Sequence, residues 1–373
     1  MKPIFSLVFL VALFACKAQK KEQDVPLTPD QKKHVLTPIV TGIEVPWGMD
    51  WLDDKTMIVT ERSGGIFLVK DGVKTEVSHP IKVYARNQGG MLDVKVHPKY
   101  AENGWIYFTF SSTKGDDQGA NTELIRAKIN NNQLVEIQSL YKATPNTSRS
   151  HHFGSRIVFD AKGDLYFTVG DRGNHDENPQ FISRDGGKVY RLKEDGSIPT
   201  DNPFVHVENS KPAVYSYGHR NPQGMTVHPV TGEIWVHEHG PRGGDEINVI
   251  KKGANYGWPV ITYGINYNGT IITNETKKDG MEQPLYYWVP SIAPSGMTFV
   301  TSNNYPEWKN HLLVGSLVFQ YVEFLKIENN QVVYREKIAE NIGRVRDVRQ
   351  GPDGFIYVAV EGKGIFKIEP TKN

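Results

Sequence analysis

An alternation of apolar and polar residues recurs six times along the chain. Each copy has a short apolar segment, a turn rich in glycine or asparagine, and a second alternating segment rich in aromatic or β-branched residues. The paired segments are 46–50 with 57–59, 90–94 with 105–110, 156–159 with 164–169, 223–227 with 233–236, 295–299 with 311–314, and 344–348 with 355–360. A period of two is typical of half-buried β-strands, and no long segment has the period of a helix. The pattern therefore predicts an all-β protein.

Six similar units predict a six-bladed β-propeller, a ring that leaves only short sheet edges. The copies are separated by the mid-forties to about seventy residues, more than a minimal blade of ~40–50 residues requires. We expect the excess in the loops 171–215 and 253–290, and we expect segment 35–43 to close the ring with the last blade. A β-sandwich with a second domain is the alternative, but six copies are hard to fit into it.

The N-terminus has the pattern of an export signal over residues 1–15, with Lys2 followed by an apolar run at 4–14. The run is short for a membrane span. Residues 13–16 resemble a bacterial lipobox, which predicts lipidation of Cys16, the single cysteine. Plain cleavage after Ala15, leaving a free thiol, is the alternative. The polar segment 16–34 is predicted to be a flexible tether and 35–373 the propeller. The protein is therefore expected to be an exported lipoprotein, held on the periplasmic side or the cell surface through the lipid at Cys16.

The composition of the chain argues against nucleic-acid binding and against a disulfide-stabilised fold. The chain has 373 residues, with 43 basic and 42 acidic side chains, so no basic field would attract nucleic acid. A single cysteine excludes an intrachain disulfide. The 35 glycines and 11% aromatic residues suit a β-protein with many tight turns.

Polar residues flank the repeated strands, and the loops of all blades meet at the ends of a propeller's channel. These residues are Gln88, His151, His152, Asp171, Arg220, Asn221, Gly240, Pro241, Tyr267, Arg344 and Arg346. Arginines gathered at one rim would repel each other unless an anion lies among them, and guanidinium binds carboxylate in a bidentate manner. A polycarboxylate ligand explains them. The alternative is that each arginine forms a salt bridge to a blade loop.

His152 and Asp171 are candidates for a general base and the carboxylate that orients it. A structural histidine is the alternative. Adjacent residues of an extended segment point in opposite directions, so only one of His151 and His152 is expected to face the channel.

The segment 237–239 raises the question of zinc, because His237 and His239 would share one face of a strand. Two histidines are too few for a catalytic zinc site. Asp245, Glu246 and the backbone carbonyls near Gly240 favour calcium instead, because calcium prefers oxygen ligands.

Six segments in order resemble one enzyme family: 86–94, 152–156, 218–224, 238–241, 255–259 and 344–348. They resemble the soluble glucose/sorbosone dehydrogenases that use pyrroloquinoline quinone (PQQ), in the aldose sugar dehydrogenase branch, over nearly all of 36–370. The resemblance implies a six-bladed propeller that oxidises aldoses to lactones with PQQ and calcium. Electrons would pass to an external acceptor that the sequence does not identify, and a homodimer is one assembly left open.

The resemblance also implies roles for single residues. His152 matches the base that takes the proton of the anomeric hydroxyl, and Asp171 matches its partner. Arg220 and Asn221 match contacts to the reactive quinone edge, with Arg220 part of the catalytic set. Other implied ligands of the cofactor are Gln88, Tyr267, Arg344 and Arg346; the implied calcium ligands are the carbonyls of Gly240 and Pro241 and, at a second, structural site, Glu246 and Tyr256.

Val318 departs from the family pattern, because a lysine that pairs with the cofactor normally stands there. A charge-assisted hydrogen bond contributes roughly 1.5–3 kcal/mol, so the change predicts weaker cofactor binding. It also favours one alternative, a non-catalytic propeller that binds carbohydrate or a partner. A second alternative is a calcium-dependent lactonase, which would need no arginine cluster.

Overall fold

The computed structural model describes residues 25–31 and 34–371, and β-strands account for nearly all their regular structure. Residues 1–15 and Cys16 lie outside the described residues, as does most of the predicted tether. In the described ranges the one helix is α1, a single turn at Tyr100–Asn103. No helix there has the length and apolarity needed to cross a membrane.

The strands form six sheets, which we number as blades one to six. Before them come β1 (Leu27–Thr28) and β2 (Val35–Val40). Blade one contains β3 (Pro46–Trp51), β4 (Thr56–Glu61), β5 (Ile66–Lys70) and β6 (Val73–Glu76). Blade two contains β7 (Met91–Val96), β8 (Ile106–Ser112), β9 (Asn121–Asn130) and β10 (Gln133–Lys142). Blade three contains β11 (Ile157–Phe159), β12 (Leu165–Val169), β13 (Lys188–Leu192) and β14 (Val214–Tyr217). Blade four contains β15 (Pro222–Val227), β16 (Ile234–Glu238), β17 (Asp245–Val249) and β18 (Tyr286–Trp288). Blade five contains β19 (Pro294–Phe299), β20 (Leu312–Ser316), β21 (Val322–Glu328) and β22 (Gln331–Ile338), and blade six contains β23 (Val345–Gln350), β24 (Ile356–Val360) and β25 (Gly364–Glu369).

The predicted six-bladed propeller is confirmed. Each blade is an antiparallel sheet whose strands follow chain order. The first strands of successive blades contact one another in a closed ring, from β3 through β7, β11, β15, β19 and β23 back to β3. The six sequence repeats therefore correspond to the two innermost strands of each blade.

Both chain ends contribute to the outer edge of the ring. Strand β2 pairs antiparallel with β25, with Leu36 opposite Ile368, so the predicted closing strand is confirmed. Strand β1 pairs in parallel with β22, with Leu27 opposite Arg335. Part of the predicted tether is thus bound to blade five, because the outer edge of β22 offers unpaired backbone groups.

The glycine of the repeat allows a carboxylate of the next blade to approach the strand. A Cβ at Gly48 would lie 2.7 Å from Oδ1 of Asp93, and one at Gly296 would lie 2.1 Å from Oδ1 of Asp347. Glycine is the residue that permits so close an approach. In blades one and five the repeated glycine therefore has a packing cause.

These two carboxylates belong to a buried ion cluster near the axis. Arg156 Nη1 lies 2.9 Å from Asp93 Oδ1 and 3.0 Å from Asp347 Oδ1. Arg349 contacts the same two residues, through Nη2 at 2.9 Å from Asp93 and Nε at 3.0 Å from Asp347. All four side chains are buried. Two cations balance two anions, and the cluster joins blades two, three and six.

Candidate functional site

One face of the propeller gathers the loops that precede the first strand and follow the second strand of each blade; we call it the site face. Most predicted residues lie at such positions: Gln88 before β7, His152 before β11, Asp171 after β12, Arg220 and Asn221 before β15, Gly240 and Pro241 after β16, and Arg344 next to β23 with Arg346 on it. Residues that are far apart in the sequence thus lie on the same face, because they occupy equivalent loops in successive blades.

His152 and Asp171 form a buried pair at this face. His152 Nδ1 lies 2.7 Å from Asp171 Oδ1. That oxygen also accepts a bond from Gly173 N at 2.7 Å, and Asp171 Oδ2 accepts one from Trp258 Nε1 at 2.9 Å. An ionised carboxylate only accepts hydrogen bonds, so the proton lies on Nδ1 and the lone pair on Nε2. Gln88 Oε1 accepts the backbone N–H of His152 at 2.8 Å, which fixes the loop.

The protonation states suit a base. Burial lowers the pKa of His152 to about 4; the hydrogen bond and charge of Asp171 oppose this shift, and Arg220 adds to it. Burial tends to raise the pKa of Asp171. The hydrogen bond from His152, the positive charge that His152 carries when it is protonated, and the charge of Arg220 together lower this pKa to about 2. At neutral pH the pair is therefore a neutral imidazole and a carboxylate.

His151 has a different environment. Its ring meets the ring of His152 edge-on at 4.5 Å. It packs on Gly173, where a Cβ would lie 2.4 Å from Nε2 of His151. The backbone carbonyl of His151 accepts a bond from Arg172, whose buried guanidinium lies over the ring of Phe153 at 3.4 Å. His151 thus differs from His152 in having no bond to Asp171 among the described contacts.

Arg220 and Asn221 present buried donors that lack partners. Arg220 Nη1 donates to Gly240 O at 2.7 Å, and its guanidinium lies 5.3 Å from the ring centre of Trp258. Its Nε has no hydrogen-bond partner among the described residues, nor has Nδ2 of Asn221. Asn221 Oδ1 accepts from Gly154 N at 3.1 Å. Unpaired buried donors carry a free-energy cost of about 1–3 kcal/mol, so these atoms fit a ligand rich in oxygen acceptors.

A small cavity behind Arg220 holds two carboxylates. It is lined by Arg220, Glu238, His239, Gly240, Gly244, Glu246, Tyr256, Trp258, Ile261 and Thr262. Glu238 accepts from His219 Nδ1 at 2.8 Å and from the backbone N of Arg220 at 2.5 Å. Burial raises the pKa of Glu246 well above its usual range, and the charge of Glu238 raises it further. In the described structure neither glutamate forms an ion pair with lysine or arginine, so the pair fits a hard divalent cation.

Other predicted metal ligands are placed differently. Asp245 accepts from Gly240 N at 2.9 Å, Ser291 Oγ at 2.6 Å and Ala293 N at 2.9 Å, so it braces the loop. The carbonyl of Gly240 accepts one hydrogen bond from Arg220 Nη1 and keeps a second lone pair, so its implied role as a calcium ligand stays a prediction. The Tyr256 hydroxyl donates to Val249 O at 2.7 Å, so the side chain of Tyr256 offers the cavity only its ring. Among the described residues, no three or more His, Cys, Asp or Glu side chains converge as a metal site.

His237 and His239 join two blades. His237 Nε2 bonds to Ser295 O, and His239 Nε2 bonds to Pro294 O at 2.5 Å. Burial lowers the pKa of His239 to about 3. Both rings therefore act as neutral donors to blade five.

Arg344 and Arg346 share one carboxylate. Glu361 accepts from Arg344 Nε at 2.7 Å and from Arg346 Nη2 at 2.6 Å. Arg346 Nη1 also donates to Gln223 Oε1 at 3.1 Å. The protein itself thus supplies an anion to these two arginines, as the salt-bridge alternative expects, and their implied contact with the cofactor stays a prediction. Of the three predicted arginines, Arg220 has a buried donor, Nε, without a hydrogen-bond partner among the described residues.

Two predicted positions lie at the margin. Val318 is 50% exposed and donates its backbone N–H to Ile292 O at 3.2 Å. Tyr267 is 73% exposed, and in the described structure no hydrogen bond connects it to the other predicted residues. The implied role of Tyr267 as a cofactor ligand stays a prediction.

Lys188 is a buried residue that the sequence did not single out. Its amine donates to Gly186 O at 2.7 Å, to Pro179 O at 3.0 Å and to Asn178 O. Asn178 Nδ2 in turn donates to Asp171 O at 2.9 Å. Burial lowers the pKa of Lys188 to about 7. Lys188 thus holds the loop that carries Asp171.

Three further residues of the site were missed: Trp258, Glu238 and Glu361. Trp258 and Glu238 lie in the segments 255–259 and 238–241, which resemble the family. The resemblance therefore pointed to these segments, but it gave no role to either residue. Glu361 directly follows β24, at the site face, and its place after the second strand of blade six could have identified it.

Comparisons with known proteins agree with this geometry. A family model described as Glucose / Sorbosone dehydrogenase matches residues 43–367. Aldose sugar dehydrogenase YliI of Escherichia coli K12 is 38% identical over 339 residues, which cover 88% of this chain and 91% of that protein. Quinoprotein glucose dehydrogenase B of Acinetobacter calcoaceticus is 33% identical, covering 91% and 89%. The crystal structure of the soluble aldose sugar dehydrogenase from E. coli in the apo form superposes with a TM-score of 0.86 at 34% identity, covering 91% of this chain and all of that one.

Proposed function

Because the chain belongs to the glucose/sorbosone dehydrogenase family, we propose that it oxidises aldose sugars at the anomeric carbon to lactones, using PQQ and calcium. Electrons then pass to an external acceptor. The observation that carries the proposal is the buried His152, whose Nε2 is left as a base by the bond from Nδ1 to Asp171. It lies on the same face as the orphan donors of Arg220 and Asn221.

The donor set fits the proposed cofactor. Arg220 Nε and Asn221 Nδ2 would bind oxygens of the quinone edge, while Gln88, Arg344 and Arg346 would lie along its other contacts. The carbonyls of Gly240 and Pro241 would hold the calcium that acts on the cofactor. The two-carboxylate cavity at Glu238 and Glu246 has the oxygen chemistry that calcium prefers and would hold a second, structural calcium. When bound, PQQ would accept the hydride from the sugar's C1, and calcium would polarise the quinone oxygens.

The residues of the chain have distinct tasks in this reaction. His152 Nε2 receives the proton of the anomeric hydroxyl. Asp171 keeps the imidazole in the required tautomer and stabilises the charge that forms on it, and Trp258 fixes Asp171. The guanidinium of Arg220 stabilises negative charge that develops nearby, and its burial strengthens this interaction because water is excluded.

We also propose that the protein is exported and anchored through a lipid on Cys16. The lipobox-like residues 13–16 support this. Wild type should fractionate with membranes, and Cys16→Ser should be soluble. A wild type that is already soluble would contradict the anchor without affecting the proposed chemistry.

The reaction can be tested with the purified full-length chain. PQQ and calcium are titrated in, then aldoses and an artificial electron acceptor are added, and acceptor reduction is followed with His152→Gln as the matched variant. Dehydrogenation that requires PQQ and His152 supports the proposal. Saturable sugar binding with no acceptor reduction would favour a non-catalytic propeller, and lactone hydrolysis without PQQ would favour a lactonase.

A further inference from the structure

Two exposed arginines flank the loop contact that fixes His152. Gln88 donates its backbone N–H to Ser150 O at 3.0 Å, and its side-chain oxygen accepts the backbone N–H of His152 at 2.8 Å. Arg86 lies two residues before Gln88, and Arg149 lies one residue before Ser150. Both arginines are exposed. They therefore lie beside the reaction centre, on the loops that lead into blades two and three.

We propose that Arg86 and Arg149 bind the anionic group of an acidic aldose, a uronate or a sugar phosphate, whose anomeric hydroxyl lies at His152. The inference rests on the proposed function and gives it a substrate class. Oxidation at the anomeric carbon leaves the far end of the sugar unchanged, so that end is free to carry a carboxylate or a phosphate. Guanidinium groups bind both of these anions in a bidentate manner.

Arg149 is connected to the buried His152–Asp171 pair through Gly173. Its Nη1 donates to Gly173 O, and Gly173 N donates at 2.7 Å to Oδ1 of Asp171, the oxygen that His152 Nδ1 also contacts. One residue spans at most about 3.6 Å, so the guanidinium lies within roughly 10 Å of that oxygen. A Cβ at Gly173 would lie 3.0 Å from Cδ of Arg149 and 2.4 Å from Nε2 of His151. The side chains of Arg149 and His151 therefore converge over Gly173, next to the base.

A third, buried arginine holds this segment in place. Arg172 is 1% exposed and donates to Arg149 O at 2.6 Å and to His151 O. Its Nε has no hydrogen-bond partner among the described residues. Burial lowers the pKa of Arg172 to about 9, so the side chain stays protonated at neutral pH. Water screens a buried charge only weakly, so Arg172 adds to the positive potential around Arg149.

The positive charge of these three arginines, which we call the arginine cluster, is not balanced by nearby acids. No member of the cluster forms an ion pair within the part of the chain that the structure describes. Asp171 supplies one negative charge beside three positive ones. The acids of the following loop are paired elsewhere, Asp176 with His175 at 2.8 Å and Glu177 with Arg184. The cluster is therefore a region of net positive charge that attracts anions.

The cofactor has other arginines to bind it. In the proposed function Arg220, Arg344 and Arg346 serve PQQ, and they belong to blades four and six. The cluster lies on the loops of blades two and three. Because PQQ is itself an anion, cofactor binding and substrate selectivity have to be measured separately.

The test compares sugars that differ in one charged group. The kcat/KM of the PQQ- and calcium-loaded enzyme is measured with glucose, glucuronate and glucose 6-phosphate, for wild type, Arg86→Gln and Arg149→Gln. Each substitution should lower kcat/KM for at least one of the two acids by about three- to tenfold, with glucose unchanged, because an exposed charge-assisted contact is lost. Arg149→Lys should keep part of the selectivity, since it retains the charge but not the planar fork. Arg184→Gln removes the same charge from an ion pair; it is the matched control and should leave all three values unchanged.

Binding is measured separately by calorimetry with the same two acids, so that the cluster is tested even without turnover. The acid that responds more strongly identifies a carboxylate or a phosphate as the group bound. Equal effects of Arg149→Gln on glucose and both acids, or no effect on turnover and binding of either acid, would overturn the proposal. So would weaker PQQ binding by Arg149→Gln, because the arginine would then serve the cofactor. Failure of wild type to oxidise any of the sugars, with binding of an acid still lost in Arg149→Gln, would reject the proposed function but not the anion site.

Discussion

Replacing His152 by glutamine tests the reaction centre most directly. The amide keeps hydrogen-bonding atoms near Asp171 but has no basic nitrogen. General-base catalysis typically contributes 10²–10⁴-fold, so turnover should fall by about that factor. The binding of PQQ and calcium should persist, because the orphan donors of Arg220 and Asn221 and the carboxylates of Glu238 and Glu246 are untouched.

The pH profile adds a second measure of the same residue. The pKa of His152 is lowered to about 4 by burial, and the base works as the neutral imidazole. Activity of the free enzyme should therefore hold down to about pH 4, and should fall tenfold per pH unit below it. This decrease at acidic pH is measured as kcat/KM against pH. It should be absent from the pH profile of His152→Gln.

His151→Gln is the matched control, because the same change is made one residue away. His151 contacts Gly173 and has no described bond to Asp171, so its loss should be far smaller. Asp171→Asn should fall between the two, since it disturbs the tautomer but leaves the imidazole. Equal losses at His151 and His152, or an acidic limb near pH 6.5, would refute the assignment of the base.

Asp93→Asn should lower the free energy of unfolding by about 3–5 kcal/mol, because a broken buried ion cluster leaves an uncompensated charge; urea unfolding measures it, and a loss under 1 kcal/mol would contradict the cluster's role. Val318→Lys should tighten PQQ binding about tenfold by calorimetry; an unchanged titration would mean that the cofactor carboxylate is already paired. Burial lowers the folded pKa of His239 to about 3, below the unfolded value of 6.5. The unfolded chain therefore binds more protons, and the unfolding free energy should decrease as pH falls from 6.5 towards 3; His239→Gln should flatten this slope. Lys188→Met should lower kcat more than Lys188→Arg, because only the arginine keeps donors for the loop behind Asp171; equal values would separate Lys188 from the site.

The inner part of each blade could be predicted from the sequence, whereas the outer strands could not. The ring gives the first strands similar places next to the axis, and in blades one and five Gly48 and Gly296 meet equivalent carboxylates of the next blade. Strand β13 was missed within the expected loop 171–215, because it carries the buried Lys188 and has no alternation. Its burial is a tertiary effect that a period-two pattern does not encode.

The contacts of the candidate site were likewise predictable from the sequence only in part. The bond between His152 and Asp171 was predicted because both flank strands of one blade. The bond from Trp258 to Asp171 crosses 87 residues, and the sharing of Glu361 by two arginines depends on which side chains face each other. The role of Tyr267 stays a prediction, because the resemblance located its loop but not the direction of its side chain.

The pairing of β2 with β25 has a consequence for how the protein forms and fails. Thr37 and Glu369, which bond across this pair, are 332 residues apart in sequence. Such a non-local contact forms late, because it requires the closure of a very long loop. A chain still lacking β25 leaves blade six open, with an inter-blade apolar surface and a free strand edge that invite aggregation. In the folded protein the hydrogen bonds between β2 and β25 keep the ring closed. We infer that breaking them limits the rate of unfolding.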